Sequence, residues 1–370
     1  MALIRAAVLR VDDPGLPPIS RLDLPTEDLG FAGARLAIED NDTTGRFMGQ
    51  DFEAVEVTAS PDTASAEMDK LLAEGIPFIV VLADDPTTLA LADQAGDRAT
   101  VFNARARGDA LRGADCRANM IHTAPSHQMM ADGLAQFLMW KRWSNWFLIH
   151  GSHEADHDLA EAYRRAATKF GARIVETREF QDTGGARRTD SGHVQVQAQI
   201  PVFTQRAPAH DVVVAADEAG VFAAYLPYQT WDARPVVGSA GLVPRSWHPA
   251  MEAWGATQFQ NRFERLANRN MREEDYQTWL ALRMVGEAAT RGQTSDPAEI
   301  RDFILSDNFE VAGFKGQRLT LRDWDHQLRQ PMLLTTGLLM TSVSPQDQYL
   351  HQTSALDTLG TDRPETTCQF

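Results

Sequence analysis

"TASAEMDKLLAEGIPFIVVLADDPTTLALADQAGDRATVFNA" (Thr63 to Ala104) carries the decision about fold. It opens with an amphipathic helix pattern that stops at Gly75, a usual C-terminal signal. "PFIVVLA" then runs apolar without alternation, as a strand buried on both faces does. "DDPTTLALADQAG" begins with acids and Pro86, which favour a helix start, and "RATVFNA" is a second buried strand. Helix and strand alternate with no room for a hairpin, which predicts a parallel sheet covered on both faces.

The same rhythm extends outward. "LIRAAVLRV" is a first strand, "LGFAGARLAIEDND" a helix and "FEAVEVTAS" a strand. A second series starts near His122: "PSHQMMADGLAQFLMWKR" as helix, "WFLIHG" as strand, "EADHDLAEAYRRAATKFG" as helix and "ARIVETREF" as strand. "DVVVAA", "GVFAAYLPYQ" and "RPVVGSAG" follow, then the helical "EEDYQTWLALRMVGEAATR" and a long strand or crossing ribbon, "QLRQPMLLTTGLLMTSVSP". No Gly/Ser linker separates the series. The expectation is α/β: two doubly wound lobes joined by about three crossovers, near Thr123, Gln258 and Gln330. The first lobe takes 1–122 and 259–328, the second 123–258 and 329–344. A tail, 345–370, packs back on the first lobe.

The 370 residues carry 35 Lys and Arg against 51 Asp and Glu, a net charge of −16. Nucleic acid and anionic membrane surfaces select basic proteins, so neither is expected as a partner. Such a charge suits a soluble monomer. No apolar run approaches the ~20 residues of a spanning helix. "MALIRAAVLRV" reads as a core strand rather than a signal peptide, so the sequence is that of a cytosolic protein or a mature exported one. Cys116 and Cys368, the two cysteines, are too far apart for a Cys-x-x-Cys motif.

Within this acidic chain, "VFNARARGDALRGADCRANMIHTAPS" (Val101 to Ser126) gathers Arg105, Arg107, Arg112 and Arg117. Ligands of open α/β sheets sit beyond the carboxyl ends of strands. Arg105 and Arg107 follow one such end, and Arg187 and Arg188 follow another in a glycine-containing loop, so all four are candidates for an anion. Arg112 and Arg117 read as surface partners of Asp109 or Asp115. Thr123, Ser126 and Ser152 stand near helix starts, where hydroxyls and free amides hold carboxylates; capping alone is the plain alternative. Trp247, with Arg245 nearby, offers a ring for stacking, against ordinary packing. Asp217 and Glu218, after "DVVVAA", offer carboxylates for a ligand ammonium.

"HEADH" (His153 to His157) matches the zinc-hydrolase pattern His-Glu-x-x-His, the rival reading from the enzyme class. It follows a strand directly, so His153 falls at a helix start rather than within a helix, and no third ligand follows at the usual spacing. No catalytic residue and no metal site are expected.

In this setting "GFAGARLAIEDNDTTG", "VFNARARGDALRGADCRANMIHTAPS" and "DPAEIRDFIL" resemble the first helix, the first crossover region and a late helix of the type I periplasmic solute-binding proteins of ABC transporters, the class of the branched-chain amino-acid binders. The resemblance runs to about Pro345. "LRGADCRANMIHTAPS", "YQTWDARPVVGSAGLVP", "WGATQFQNRFE" and "HQTSALDTLGTDRPETTCQF" look like a subgroup encoded beside pyrroloquinoline quinone (PQQ)-dependent alcohol dehydrogenases. This implies a periplasmic, non-catalytic binder with an ABC permease or such a dehydrogenase as partner, and an oxidising compartment in which Cys116 and Cys368 pair. PQQ, a planar tricarboxylate, is the ligand this reading expects at the arginines. An amino acid or aromatic acid is the alternative.

Overall fold

The computed structural model describes residues 2–12, 15–16, 18–20, 23–182 and 195–370. Its first lobe is built on five parallel strands, β1 (Ala2–Val11), β2 (Gln50–Ala59), β3 (Phe78–Leu82), β4 (Thr100–Asn103) and β5 (Met120–His122), in the order β2-β1-β3-β4-β5. All five residues of β3 are buried, as an unalternating apolar run requires. Between the strands run α1 (Phe31–Met48), α2 (Ala64–Ala73) and α3 (Asp85–Ala95). Asp84 caps α3 by accepting from Thr87 N, and Pro86 stands within its first turn, the chemistry the sequence displayed.

The second lobe opens with α4 (His127–Trp140), whose buried face shares a core with the helix and strands that come after it. It comprises β6 (Asn145–His150), α5 (Glu154–Phe170), β7 (Arg173–Glu179), α6 (Val196–Phe203), β8 (Val212–Ala216) and β9 (Val236–Gly238). Its four strands are parallel in the order β7-β6-β8-β9. The helix α6 carried no clear sequence signal, since "VQVQAQIPVF" alternates and contains Pro201.

The chain then leaves the second lobe through β10 (Val243–Arg245). Trp247 and Met251 already belong to the core of the first lobe, with α7 (Ala256–Ala267) and α8 (Glu273–Gly292) behind them. This crossing lies ahead of the Gln258 expected from sequence. After α9 (Pro297–Ile304), β11 (Val311–Ala312) and β12 (Arg318–Leu319), the chain passes beside β5 and enters β13 (Met332–Thr335). The expected single ribbon is instead a hairpin: β13 pairs antiparallel with both β10 and β14 (Met340–Ser344), the turn lying between Thr335 and Met340.

Two crossings run side by side and are laced by side chains. The Gln327 amide donates to His122 O (3.2 Å) and Ala124 O (3.1 Å), and that of Gln330 to Thr123 O (2.8 Å). The backbone amides bond as well, His122 N to His326 O and Leu328 N to His122 O. One large core joins α1, α7 and α8 to the first sheet, a second fills its other face, and two smaller cores cover the second sheet. Cys116 and Cys368 form a disulfide. The tail, expected on the first lobe, also bonds the second: Lys169 of α5 donates to Thr358 O and Gly360 O, and Arg165 pairs with Glu365 at 2.7 Å. Among the described residues no helix is long and apolar enough to cross a membrane.

Candidate functional site

A cavity of about 750 Å³ lies between the lobes, lined by residues that follow β4, β8 and β9 and by the start of α8. The carboxyl ends of the strands thus face it, as in other open α/β sheets. The loop after β4 is shaped by short-range bonds. Asn103 Oδ1 accepts from Arg105 N and Ala106 N, and Asp85 accepts from Gly108 N. A Cβ on Gly108 would sit 2.2 Å from that carboxylate, so the position admits only glycine without rearrangement.

This loop turns Arg107 into the cavity and Arg105 out to solvent. Arg107 does not wait there as a free cation. Its Nη2 donates to Glu273 Oε2 (3.3 Å) and its Nη1 lies 3.7 Å from Glu218 Oε1. Glu273, at the start of α8, is buried and also accepts from Arg245 Nη1 (3.0 Å), Ser246 N (2.6 Å) and Ser246 Oγ (2.9 Å). Burial opposes the charge on Glu273, but Arg107, Arg245 and these donors outweigh it and hold the carboxyl below its ordinary range. Burial likewise opposes ionisation of Glu218, yet His127, Arg107 and Arg105 bring it down to about 2.

His127, the first residue of α4, is buried and lines the cavity. Its Nε2 stands 3.8 Å from Glu218 Oε2, an ion-pair separation rather than a hydrogen bond. Neither ring nitrogen has a hydrogen-bond partner among the described residues. Burial alone would discharge the imidazolium; Glu218 and Asp109 overcome it and raise the pKa above the usual value. Tyr163 lines the same wall, its phenol pushed up by burial and by Glu218.

Asp217, next to Glu218 in sequence, is used differently. It accepts from Val221 N (2.7 Å), Phe222 N (2.7 Å) and Ala223 N (2.6 Å), so its acceptor capacity goes to the turn after β8. Counted round the cavity, Asp23, Asp217, Glu218, Glu273 and Glu274 outnumber Arg107, Arg245 and Arg272, five carboxylates to three guanidiniums.

The remaining sequence candidates fall as follows. Thr123 is buried on the crossing, its Oγ1 donating to Asn103 O at 3.3 Å. Ser126 caps α4 by accepting from Met129 N at 3.2 Å, and Ser152 accepts from Asp182 N at 3.0 Å. Arg245 reaches the cavity but is paired with Glu273. Trp247 borders the cavity with one ring face stacked on Tyr276, centroids 4.7 Å apart, and an edge against Phe259. Arg187 and Arg188 lie outside the described residues.

Two arginine assignments need correction. Arg112 is not a surface partner of Asp109 or Asp115. It is buried and donates to Gln327 Oε1, Ala106 O, Gly108 O and Ala124 O, filling a gap against the crossings. Arg117 pairs with Asp93, not Asp115. Glu273, His127 and Tyr163 went unnoticed in the sequence. Glu273 had one available sign, the acidic first turn of "REEDYQ", but nothing local pairs it with an arginine 166 positions away.

In "HEADH" the two histidines part company. His153 is the N-cap rather than a mid-helix residue: its backbone N–H donates to Asp156 Oδ2, and its Nε2 bonds Asp182 Oδ2 at 2.9 Å. His157 turns instead toward His150 and Glu179.

A model of the periplasmic binding protein family matches residues 26–337. No curated protein matches the chain. Among solved structures, the chain is similar to a branched-chain amino-acid ABC transporter periplasmic ligand-binding protein from Burkholderia xenovorans LB400 (TM-score 0.73, 16% identity, covering 92% of this chain and 95% of that one). It is similar too to an ABC transporter substrate-binding protein from Desulfitobacterium hafniense in complex with Leu (TM-score 0.70, 15% identity, 92% and 99% covered). A third is a solute-binding protein from R. palustris in complex with benzoate (TM-score 0.70, 13% identity, 99% of each chain covered).

These findings correct the expectation of PQQ. The similar structures are named for amino acids or hold leucine or benzoate. The cavity arginines that suggested a tricarboxylate are already neutralised by Glu218 and Glu273, in a lining with more carboxylates than guanidiniums. PQQ as bound ligand, and the dehydrogenase partnership that rested on it, are set aside. The two-lobed α/β fold, the bridge between Cys116 and Cys368 and the match across most of the chain agree with one another. The chain belongs to the periplasmic binding protein family, which acts in the periplasm.

Proposed function

We propose that this chain captures an α-amino acid between its lobes and presents it to an ABC permease. The observation that carries the reading is the pairing of Glu218 with His127. Glu218 keeps its charge at any physiological pH and has a third of its side chain open to the cavity. His127, drawn toward the charged form, holds two ring nitrogens without hydrogen-bond partners among the described residues. An α-amino acid bears its ammonium and carboxylate on one carbon, so the two charges sit side by side as these two groups do. The ammonium goes to Glu218 and the carboxylate to His127, each gaining a charge-assisted hydrogen bond. Arg107, itself paired with Glu273, stands beside Glu218, and Tyr163, Leu159 and Met130 supply the apolar wall for a side chain.

Calorimetry with the common amino acids and with benzoate tests this. At least one amino acid is expected to bind at micromolar Kd or tighter, with benzoate inert. Binding of benzoate or another simple carboxylate, with every amino acid silent, would favour the aromatic-acid reading that the R. palustris complex suggests.

A further inference from the structure

The histidine that "HEADH" leaves free points to a site of a different kind. In the second sheet His150, the last residue of β6, is paired in register with Glu179, the last residue of β7. The helix α5 returns over these strands and sets the His157 ring 5.0 Å from that of His150. His157 Nε2 lies 3.9 Å from Glu179 Oε2, and one ligand atom from each of the three residues falls within 4.8 Å of the others. None of the three lines the cavity between the lobes.

We propose that His150, His157 and Glu179 bind one divalent transition-metal ion of the zinc class at the carboxyl edge of the second sheet. His150 is buried, and its Nδ1 donates to Gly151 O at 2.8 Å. That bond fixes the tautomer and leaves the Nε2 lone pair for a metal, the usual outer-shell arrangement of a ligating histidine. Glu179 is oriented in the same way: Gln181 Nε2 bonds its Oε1 while Oε2 faces His157. Two imidazoles and one carboxylate form a set that suits zinc, nickel or copper and leaves a coordination position open. Metal–ligand bonds of about 2.0–2.2 Å require the three groups to draw together by roughly 1 Å. The His157 and Glu179 side chains are 47% and 37% exposed and can make that movement, whereas His150 stays anchored. The ligands are not those of the sequence motif. His153 is turned away and held by Asp182, so only one motif histidine takes part.

The experiment uses the full chain, free of any affinity tag and stripped by chelator, titrated with Zn²⁺ and followed by calorimetry and metal analysis. One equivalent of zinc is expected, raising the thermal midpoint, with Ca²⁺ unable to compete because it prefers an all-oxygen set. His157→Ala and Glu179→Gln, both on the exposed side, should each weaken zinc at least tenfold and abolish the thermal shift, with circular dichroism confirming the fold. His153→Ala should stay within twofold of the parent. Absence of stoichiometric zinc overturns the proposal. So does zinc binding that survives in both His157→Ala and Glu179→Gln, or that is lost in His153→Ala.

Discussion

The loop after β4 and the loop after β8 face each other across the cavity, and each distributes like charges in opposite ways. In the first, Arg105 is spent on solvent, Arg107 on the cavity and Arg112 on the interior. In the second, Asp217 is spent on three backbone amides of its own turn, while its neighbour Glu218 faces the cavity. Charge type and sequence neighbourhood are nearly constant within each loop. The role changes with what the rest of the chain brings to each side chain: Gln327 for Arg112, Glu273 for Arg107 and His127 for Glu218.

The largest effect should come from untying the first loop. Cys116→Ser or Cys368→Ser opens a link between residues 252 apart, worth up to about 5 kcal/mol in the chain-entropy model. Chemical denaturation of oxidised protein and variant should show the loss in midpoint. Next comes Arg112→Met, which strands Gln327 Oε1 and three carbonyls in the interior; a cost of ~3–5 kcal/mol is expected from broken buried charge networks. If Arg112→Met unfolds at the parent's denaturant midpoint, the division between a structural and a functional arginine fails.

On the other side of the comparison, Glu218→Gln should weaken the bound amino acid ~10–100-fold, the scale of one charged hydrogen bond. His127 adds a pH signature of fixed sign. Its pKa is raised, so the protonated form that holds the ligand carboxylate persists below that raised value and is lost above it. Affinity should therefore fall as pH climbs through the neutral-to-alkaline range, and His127→Gln should flatten the profile. Glu218, at about 2, contributes no slope there. The smallest effect belongs to Arg105→Ala, within twofold in affinity by calorimetry, since the side chain is solvent-exposed and acts on Glu218 only at a distance.

The architecture was legible because it is written at short range. The unbroken apolar run of β3 and the cap and proline of α3 are properties of a few consecutive residues, and each has one geometric outcome. The hairpin of β13 and β14 and the helix α6 were harder, since a long apolar run and an alternating segment with a proline each admit two outcomes. The site was legible in only one of its partners. Glu218 sits at a strand end, where sequence alone makes it a candidate. What makes it a poised carboxylate is His127, 91 positions earlier, and Arg107, itself held by the start of α8. An arginine count cannot tell a charge that awaits a ligand from one that is already answered.

The laced crossings bear on how the two lobes can move. Hinges are commonly pictured as loose backbone, open to water and quick to exchange their amide hydrogens. Here His122 N and Leu328 N bond across adjacent strands, and Gln327 and Gln330 occupy the carbonyls between them. Bending at this place must be elastic, spread as small torsions along intact strands, rather than a local melting. Deuterium labelling should find the crossings among the slowest-exchanging segments, so that the strands joining the two lobes are also among the stiffest parts of the molecule.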